Sequence, residues 1–133
     1  MAVYVDDMRA RFRNMVMCHM LADTDEELHA MADRIGVQRR WWQSPAKTSG
    51  SHYDIALSKR ALAVRSGAIE ITQRQAAMMN AKRRATGTLG TPQEAEAWYE
   101  ARLRGRSEAP AHQDQVAACA ALPRVLLGAQ LLP

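Results

Sequence analysis

The sequence predicts an α/β fold: a small, partly parallel sheet with flanking helices, followed by C-terminal helices. Three observations carry that expectation. Short β-forming runs alternate with stretches of helical period, the pattern of βαβ units. Capping-box spacing, in which a hydroxyl and a carboxylate or amide satisfy free N–H groups at a helix start, occurs at Thr24/Glu27, Thr72/Gln75 and Thr91/Glu94. Glycines stand at helix-stop positions, Gly36 and Gly67. The 133 residues, 47% apolar and 24% charged, suffice for one core without disulfide staples.

In chain order, Val3-Tyr4-Val5 alternates β-formers and runs into two acids, Asp6 and Asp7, which reads as a strand entering a loop. Residues 8–14 carry Arg9, Arg11 and Arg13 and read as a basic connection. Residues 15–22 are nearly all apolar and short enough for a buried strand. A helix over 25–35 follows, with Leu28, Met31, Ala32 and Ile35 on one face and Asp25 and Glu26 suited to its positive end. Residues 37–43, with Trp41 and Trp42 beside Arg39 and Arg40, read as a strand; 44–51 is a loop by composition. A second helix is expected from Tyr53 or Asp54 to Ser66, then a strand over 68–72. A third helix runs from Thr72 to about Arg84, and a fourth starts at Thr91 with Pro92 in its first turn. The expected domains are an α/β unit over 1–90, a helical extension over 91–105, and a tail over 106–133 that is disordered or binds a partner.

Charge separates along the chain. Residues 1–72 hold ten Lys/Arg against nine Asp/Glu, while 73–106 hold seven against three. The excess centres on Lys82, Arg83 and Arg84, which makes that helix the expected nucleic-acid contact. A solvated helix face is the plainer reading. No apolar run approaches the ~20 residues of a membrane span. No signal peptide is visible, and two cysteines, Cys18 and Cys119, suggest no disulfide framework, so a cytoplasmic location is expected.

Several stretches together resemble a small family of unknown function from bacteria and their phages: Val3 to Asp7, Cys18 to Asp23, Glu27 to Gly36, His52-Tyr53-Asp54, Ser58 to Ala63 and Gly67 to Thr72. The resemblance covers about residues 1–90. It implies a compact intracellular, phage-associated domain and supplies no reaction and no catalytic residues.

The most suggestive chemistry lies in Asp6, Asp7, His19 and His52, a candidate set for a divalent ion such as Mg²⁺, Mn²⁺ or Zn²⁺, with His52 and Asp54 as catalytic candidates. Asp6 and Asp7 follow a strand, and His52-x-Asp54 sits where a loop enters an element; ligands collect at such ends. Lys59 and Arg60 follow within two turns and would hold a phosphate. Such a set suits metal-assisted phosphoester chemistry on a nucleotide or similar substrate. Each member also has a structural reading: the acids as turn acceptors, His19 as a hydrogen-bonded core histidine, His52 and Asp54 as caps. Cys18 and His19 are neighbours on a strand and point to opposite faces, which makes a thiol–imidazole pair geometrically poor. Trp41-Trp42 beside two arginines resembles a stacking surface for single strands, though one Trp should face the core.

Two functions follow. The first is a binding or regulatory accessory module contacting nucleic acid or a host protein complex. The alternative is a metal-dependent enzyme using the Asp/His set. A homo-oligomer built on the Ala/Met-rich helices or the apolar tail is a plainer third.

Overall fold

A computed structural model describes residues 2–48 and 50–108, of which 107 and 108 are described by their backbone alone. The chain divides into two units, Met1–Tyr99 and Glu100–Pro133. The first holds the sheet and its core. Of the second, the described part is the C-terminal half of one helix.

Five strands form a mixed sheet: β1 (Val3–Val5), β2 (Ala10–Phe12), β3 (Met15–Ala22), β4 (Tyr53–Ala56) and β5 (Ile69–Glu70). β3 is the centre. Its register pairs Met20 with both Val5 and Tyr53, and Met17 with both Ala10 and Ala56. One edge of β3 therefore carries β4, and the other carries β1 and β2 end to end. All three partners are antiparallel to β3; the parallel pair is β1 with β5. The expected parallel content thus reduces to one short pair, because β1 to β3 return by hairpins.

The helices are α1 (Asp25–Ile35), α2 (Leu57–Arg65), α3 (Gln73–Thr86) and α4 (Pro92–Glu108). Their ends follow the sequence signals. Thr24 Oγ accepts the Glu27 N–H, and Gly36 closes α1 at φ 81°, a left-handed value that costs glycine little. Thr72 and Gln75 complete a reciprocal capping box on α3. Thr91 and Glu94 make the same exchange on α4.

Each face of the sheet has its own core. On one face Val5, Met20, Ala22, Tyr53 and Ile55 pack with Leu28, Met31, Ala32 and Ile35 of α1 and Ala63 of α2. On the other, Tyr4 and Leu21 pack with Ile71, Ala76, Met78, Met79, Leu89 and Ala95. Fully burying one such Leu or Met contributes roughly 1.5–3 kcal/mol. Met78 and Met79 are thus internal packing residues.

Three expectations change. Residues 37–43 are not a strand: Arg39–Trp41 is a single 3₁₀ turn with i→i+3 bonds, and only Gln43 bridges to His52. Val37 is held by the close of α1, its N–H on Ala32 O. Trp42 then packs edge-on to His29, and Trp41 is left 56% exposed. Tertiary packing overrides the β-propensity of the two tryptophans. Residues 53–56 are a strand rather than the start of α2, because Tyr53 and Ile55 alternate into the core. The basic connection contains β2, whose residues are exposed throughout. α4 runs on to Glu108; the rest of the expected tail and Cys119 lie outside the described residues. Among the described residues no helix is long and apolar enough to cross a membrane.

Candidate functional site

On a strand, alternate residues share a face. In β3 this puts Cys18, Met20 and Ala22 over α1 and α2, and His19 on the other face with Leu21. The register sets Asp54 directly opposite His19. His52, two residues before Asp54, returns to that face. The β3/β4 pairing therefore assembles His19, His52 and Asp54, with one donor atom of each within 4.8 Å of the others. The imidazoles meet edge to face, ring centroids 5.1 Å apart.

The far side of each imidazole is fixed. Asp6 closes the β1 ladder, its N–H still on His19 O at 3.0 Å, before the chain leaves β3 over Asp7 to Arg9. Its Oδ1 accepts the backbone N–H groups of Met8 (3.1 Å) and His19 (2.8 Å), and its Oδ2 accepts His19 Nδ1–H at 2.7 Å. Interruptions of this kind re-aim side chains beside sites. His52 Nδ1 donates to Gly50 O at 2.7 Å. Gly50 is required there, since a Cβ would collide with the Asn80 amide. Gln43 Nε2 donates to Asp54 Oδ2 at 2.7 Å.

With both Nδ1 atoms donating outward, the two Nε2 atoms face Asp54 Oδ1, at 3.8 Å from His19 and 3.5 Å from His52. Asp54 Oδ1 is buried and accepts no hydrogen bond among the described residues. The two Nε2 atoms and the carboxylate oxygen thus converge, an arrangement that a proton or a cation between them stabilises. The electrostatics agree. The hydrogen bond to Asp6 raises the His19 pKa above its ordinary 6.5, against burial and with help from the charges of Asp6 and Asp54. Burial alone would push the Asp6 carboxyl up; the bonds from the His19 ring, His19 N–H and Met8 N–H, with the His19 charge, bring it below 3.8.

The other sequence candidates lie elsewhere. Asp7 accepts the Gln73 N–H at 2.7 Å and so caps α3. Arg60 donates to Asp6 O and pairs with Glu70, which makes it a brace behind the loop that holds Asp6. Lys59 Nζ lies by Gly36, at the C-terminus of α1, where a cation suits the helix dipole. Lys82 donates to Thr88 O. Arg83 is half-buried and donates to Ala22 O, Ser51 O and Asn80 Oδ1, tying α3 to the loop that carries Gly50. Arg84 is exposed.

Sequence reading missed the role of Asp6 as orienter of His19, and Gln43 and Gly50 altogether. The signal for Asp54 was the alternation of Tyr53 and Ile55, which places Asp54 and His52 together on the opposite face. His29, on α1, bonds Tyr53 Oη through Nδ1 at 2.8 Å and packs on Trp42, a structural post away from the cluster.

Comparison with known proteins returned no curated protein and no solved structure that matches the chain. One family model does match, over residues 3–83, from β1 into α3 and across all of His19, His52, Asp54, Asp6, Gln43 and Gly50. The chain belongs to that family, described as protein of unknown function DUF4031.

Proposed function

We propose that the protein is a metal-dependent phosphoester hydrolase whose metal ligands are His19, His52 and Asp54. The observation that carries this reading is the convergence of two imidazole Nε2 atoms on a buried carboxylate oxygen that accepts no hydrogen bond among the described residues. Both imidazoles are oriented by outward hydrogen bonds, to Asp6 and to Gly50 O, as in metal sites where a second partner fixes the tautomer and raises ligand basicity. Asp6 thus moves from candidate ligand to orienter, and Asp54 from catalytic candidate to ligand.

The donor set selects among ions. Two imidazoles favour Zn²⁺, Mn²⁺ or a similar transition metal over Mg²⁺, which takes oxygen ligands and keeps its waters. A tetrahedral Zn²⁺ site needs donor–donor edges of about 3.4 Å; the two Nε2–Oδ1 edges are 3.5 and 3.8 Å, and all three donor atoms lie within 4.8 Å of one another. Three protein ligands leave a position for water, and a metal lowers the pKa of that water while polarising the phosphoryl oxygen. The half-exposed face at His19 gives a substrate access. This arrangement favours the enzyme reading over the accessory binding module.

The test is hydrolysis of bis(p-nitrophenyl) phosphate by protein stripped with EDTA and reloaded with Zn²⁺ or Mn²⁺. The expected result is turnover that returns with one of these ions and falls at least 100-fold in Asp54→Asn. Turnover unaffected by EDTA, or equal in wild type and Asp54→Asn, would contradict the reading.

A further inference from the structure

The face of the sheet that carries His19 and Asp54 is only half covered. α3 and α4 cover Tyr4 and Leu21. Beyond His19 the same face continues through Met17 and Met15 of β3 and, by register, through Ala10 and Phe12 of β2. Met15 is 41% exposed and Phe12 is 51% exposed. An apolar shelf therefore leads away from the candidate metal ligands along the β2–β3 hairpin.

That shelf is bordered by cations. Arg9 lies where the chain enters β2, and Arg13 at the hairpin turn with its guanidinium over the Phe12 ring, 5.4 Å from the centroid; Arg11, opposite Val16 in register, projects from the other face at the β2 edge of the sheet. All three are exposed, and none takes part in the ion pairs found among the described residues. No Asp or Glu occurs from residue 8 to residue 22. Arg9 and Arg13 both adopt the left-handed backbone, at φ 54° and 57°. Glycine or asparagine would hold either position with less strain, a cost of about 1–2 kcal/mol for a residue such as arginine. Strain kept where charge is kept points to a use for the charge.

We propose that the β2–β3 hairpin seats single-stranded nucleic acid, with a base stacked on Phe12, backbone phosphates on Arg9 and Arg13, and the strand passing over the β2 edge to Arg11 on the other face. An exposed aromatic ring flanked by cations is the combination that binds single strands, since stacking needs an unpaired base and the cations track the backbone. Duplex DNA hides its base faces and offers Phe12 no partner. The proposal deepens the phosphoester reading by naming its substrate class and rests on that reading for the catalytic role alone. Binding to the hairpin needs no metal, so the two fail separately.

The experiment is fluorescence anisotropy of the full chain with labelled 20-nucleotide single-stranded DNA, the same RNA sequence, and a 20-base-pair duplex, in EDTA at 50–200 mM salt. The variants are Arg9→Asn/Arg11→Gln/Arg13→Asn, which also relieves the two left-handed positions, and Phe12→Ala. Their melting temperatures confirm folding, and Arg65→Gln, an exposed arginine on α2, serves as a charge control. Expected is binding of one or both single strands at least fivefold tighter than duplex. The triple variant loses at least tenfold at 50 mM salt and about two from the log–log salt slope. Phe12→Ala loses about fivefold on single strands and little on duplex. The DNA and RNA arms identify the sugar. No single-strand binding at 50 mM salt, equal affinity for duplex, or an unchanged triple variant would overturn the proposal. So would binding of the hairpin to anionic phosphatidylserine vesicles with none to single strands.

Discussion

Asp54 is the residue on which the site turns, and its Oδ1 has a measurable consequence in the metal-free protein. A buried carboxylate oxygen facing two imidazole nitrogens is a local liability. Asp54→Asn removes the charge while keeping the shape and the contact to Gln43. The metal-free variant should melt within about 1 kcal/mol of wild type, while the rise in Tm produced by Zn²⁺ should disappear; thermal melts with and without ion check both. Asp6 acts one bond further out. Asp6→Asn should weaken metal binding about 10–100-fold, the usual effect of losing the group that orients a ligating imidazole. It should also destabilise the fold, since the Asp6 carboxyl is held below 3.8 by bonds made only in the native state. A lowered carboxyl contributes stability above its unfolded pKa and loses it as pH falls through the folded value. The Tm gap between wild type and Asp6→Asn should therefore be full at pH 6 and close as pH drops below 3.8. Gly50→Ala drives a methyl into an Asn80 side chain already held by Arg83, and should cost about 1–3 kcal/mol. Because Gly50 O orients His52, metal affinity should fall with stability in that variant. A titration on the folded fraction would separate the two.

Among the elements, β4 shows how local signals compete. His52-Tyr53-Asp54 invites a helix cap, and Leu57 to Arg65 is indeed helical, so a single helix from 53 is the simplest reading. Tyr53 and Ile55 are buried while Asp54 and Ala56 are not, which is a strand's period. Four residues are too few to establish a period of two beside a helix, and the decisive fact is the pairing with β3, which lies about 35 residues away in sequence. The same applies to β2: its exposed side chains leave no apolar pattern to read, and only the hairpin with β3 makes it a strand. Where an element is set by its own ends, the sequence was legible. α1 and α3 begin after Thr24 and Thr72, whose hydroxyls accept the Glu27 and Gln75 N–H groups. Thr72→Ala removes the hydroxyl that accepts the Gln75 N–H and should destabilise by about 1 kcal/mol, read as a lower midpoint in urea. Asp7, already on the Gln73 N–H, holds the helix start in part and should keep the loss near that figure.

At the scale of the whole molecule, the class of fold was visible because alternation of elements and the two sheet faces both follow from apolar pattern. The candidate site was half visible. His19, His52 and Asp54 stood out as residue types, but their meeting depends on one register, His19 opposite Asp54, which no local pattern encodes. A shift of that pairing by one residue would send His19 to the other face relative to its partners. Asp7 illustrates the converse: adjacent to Asp6 and identical in chemistry, it serves a helix end because the chain turns between them. The basic excess over residues 73–106 also reads differently once folded, since Arg83 braces the loop carrying Gly50.

The most direct test of the central claim is isothermal titration of the EDTA-stripped protein with Zn²⁺ and with Mn²⁺, at pH 6 and pH 8, in buffers of different ionisation enthalpy. The structure predicts one ion per chain for at least one of the two metals. Affinity should be weaker at pH 6, where His19, raised above 6.5, must release a proton for the ion to enter. His52→Ala and Asp54→Asn should each abolish that binding while the metal-free fold remains. No binding of either metal by the wild type, or affinity that survives both substitutions, would contradict the claim.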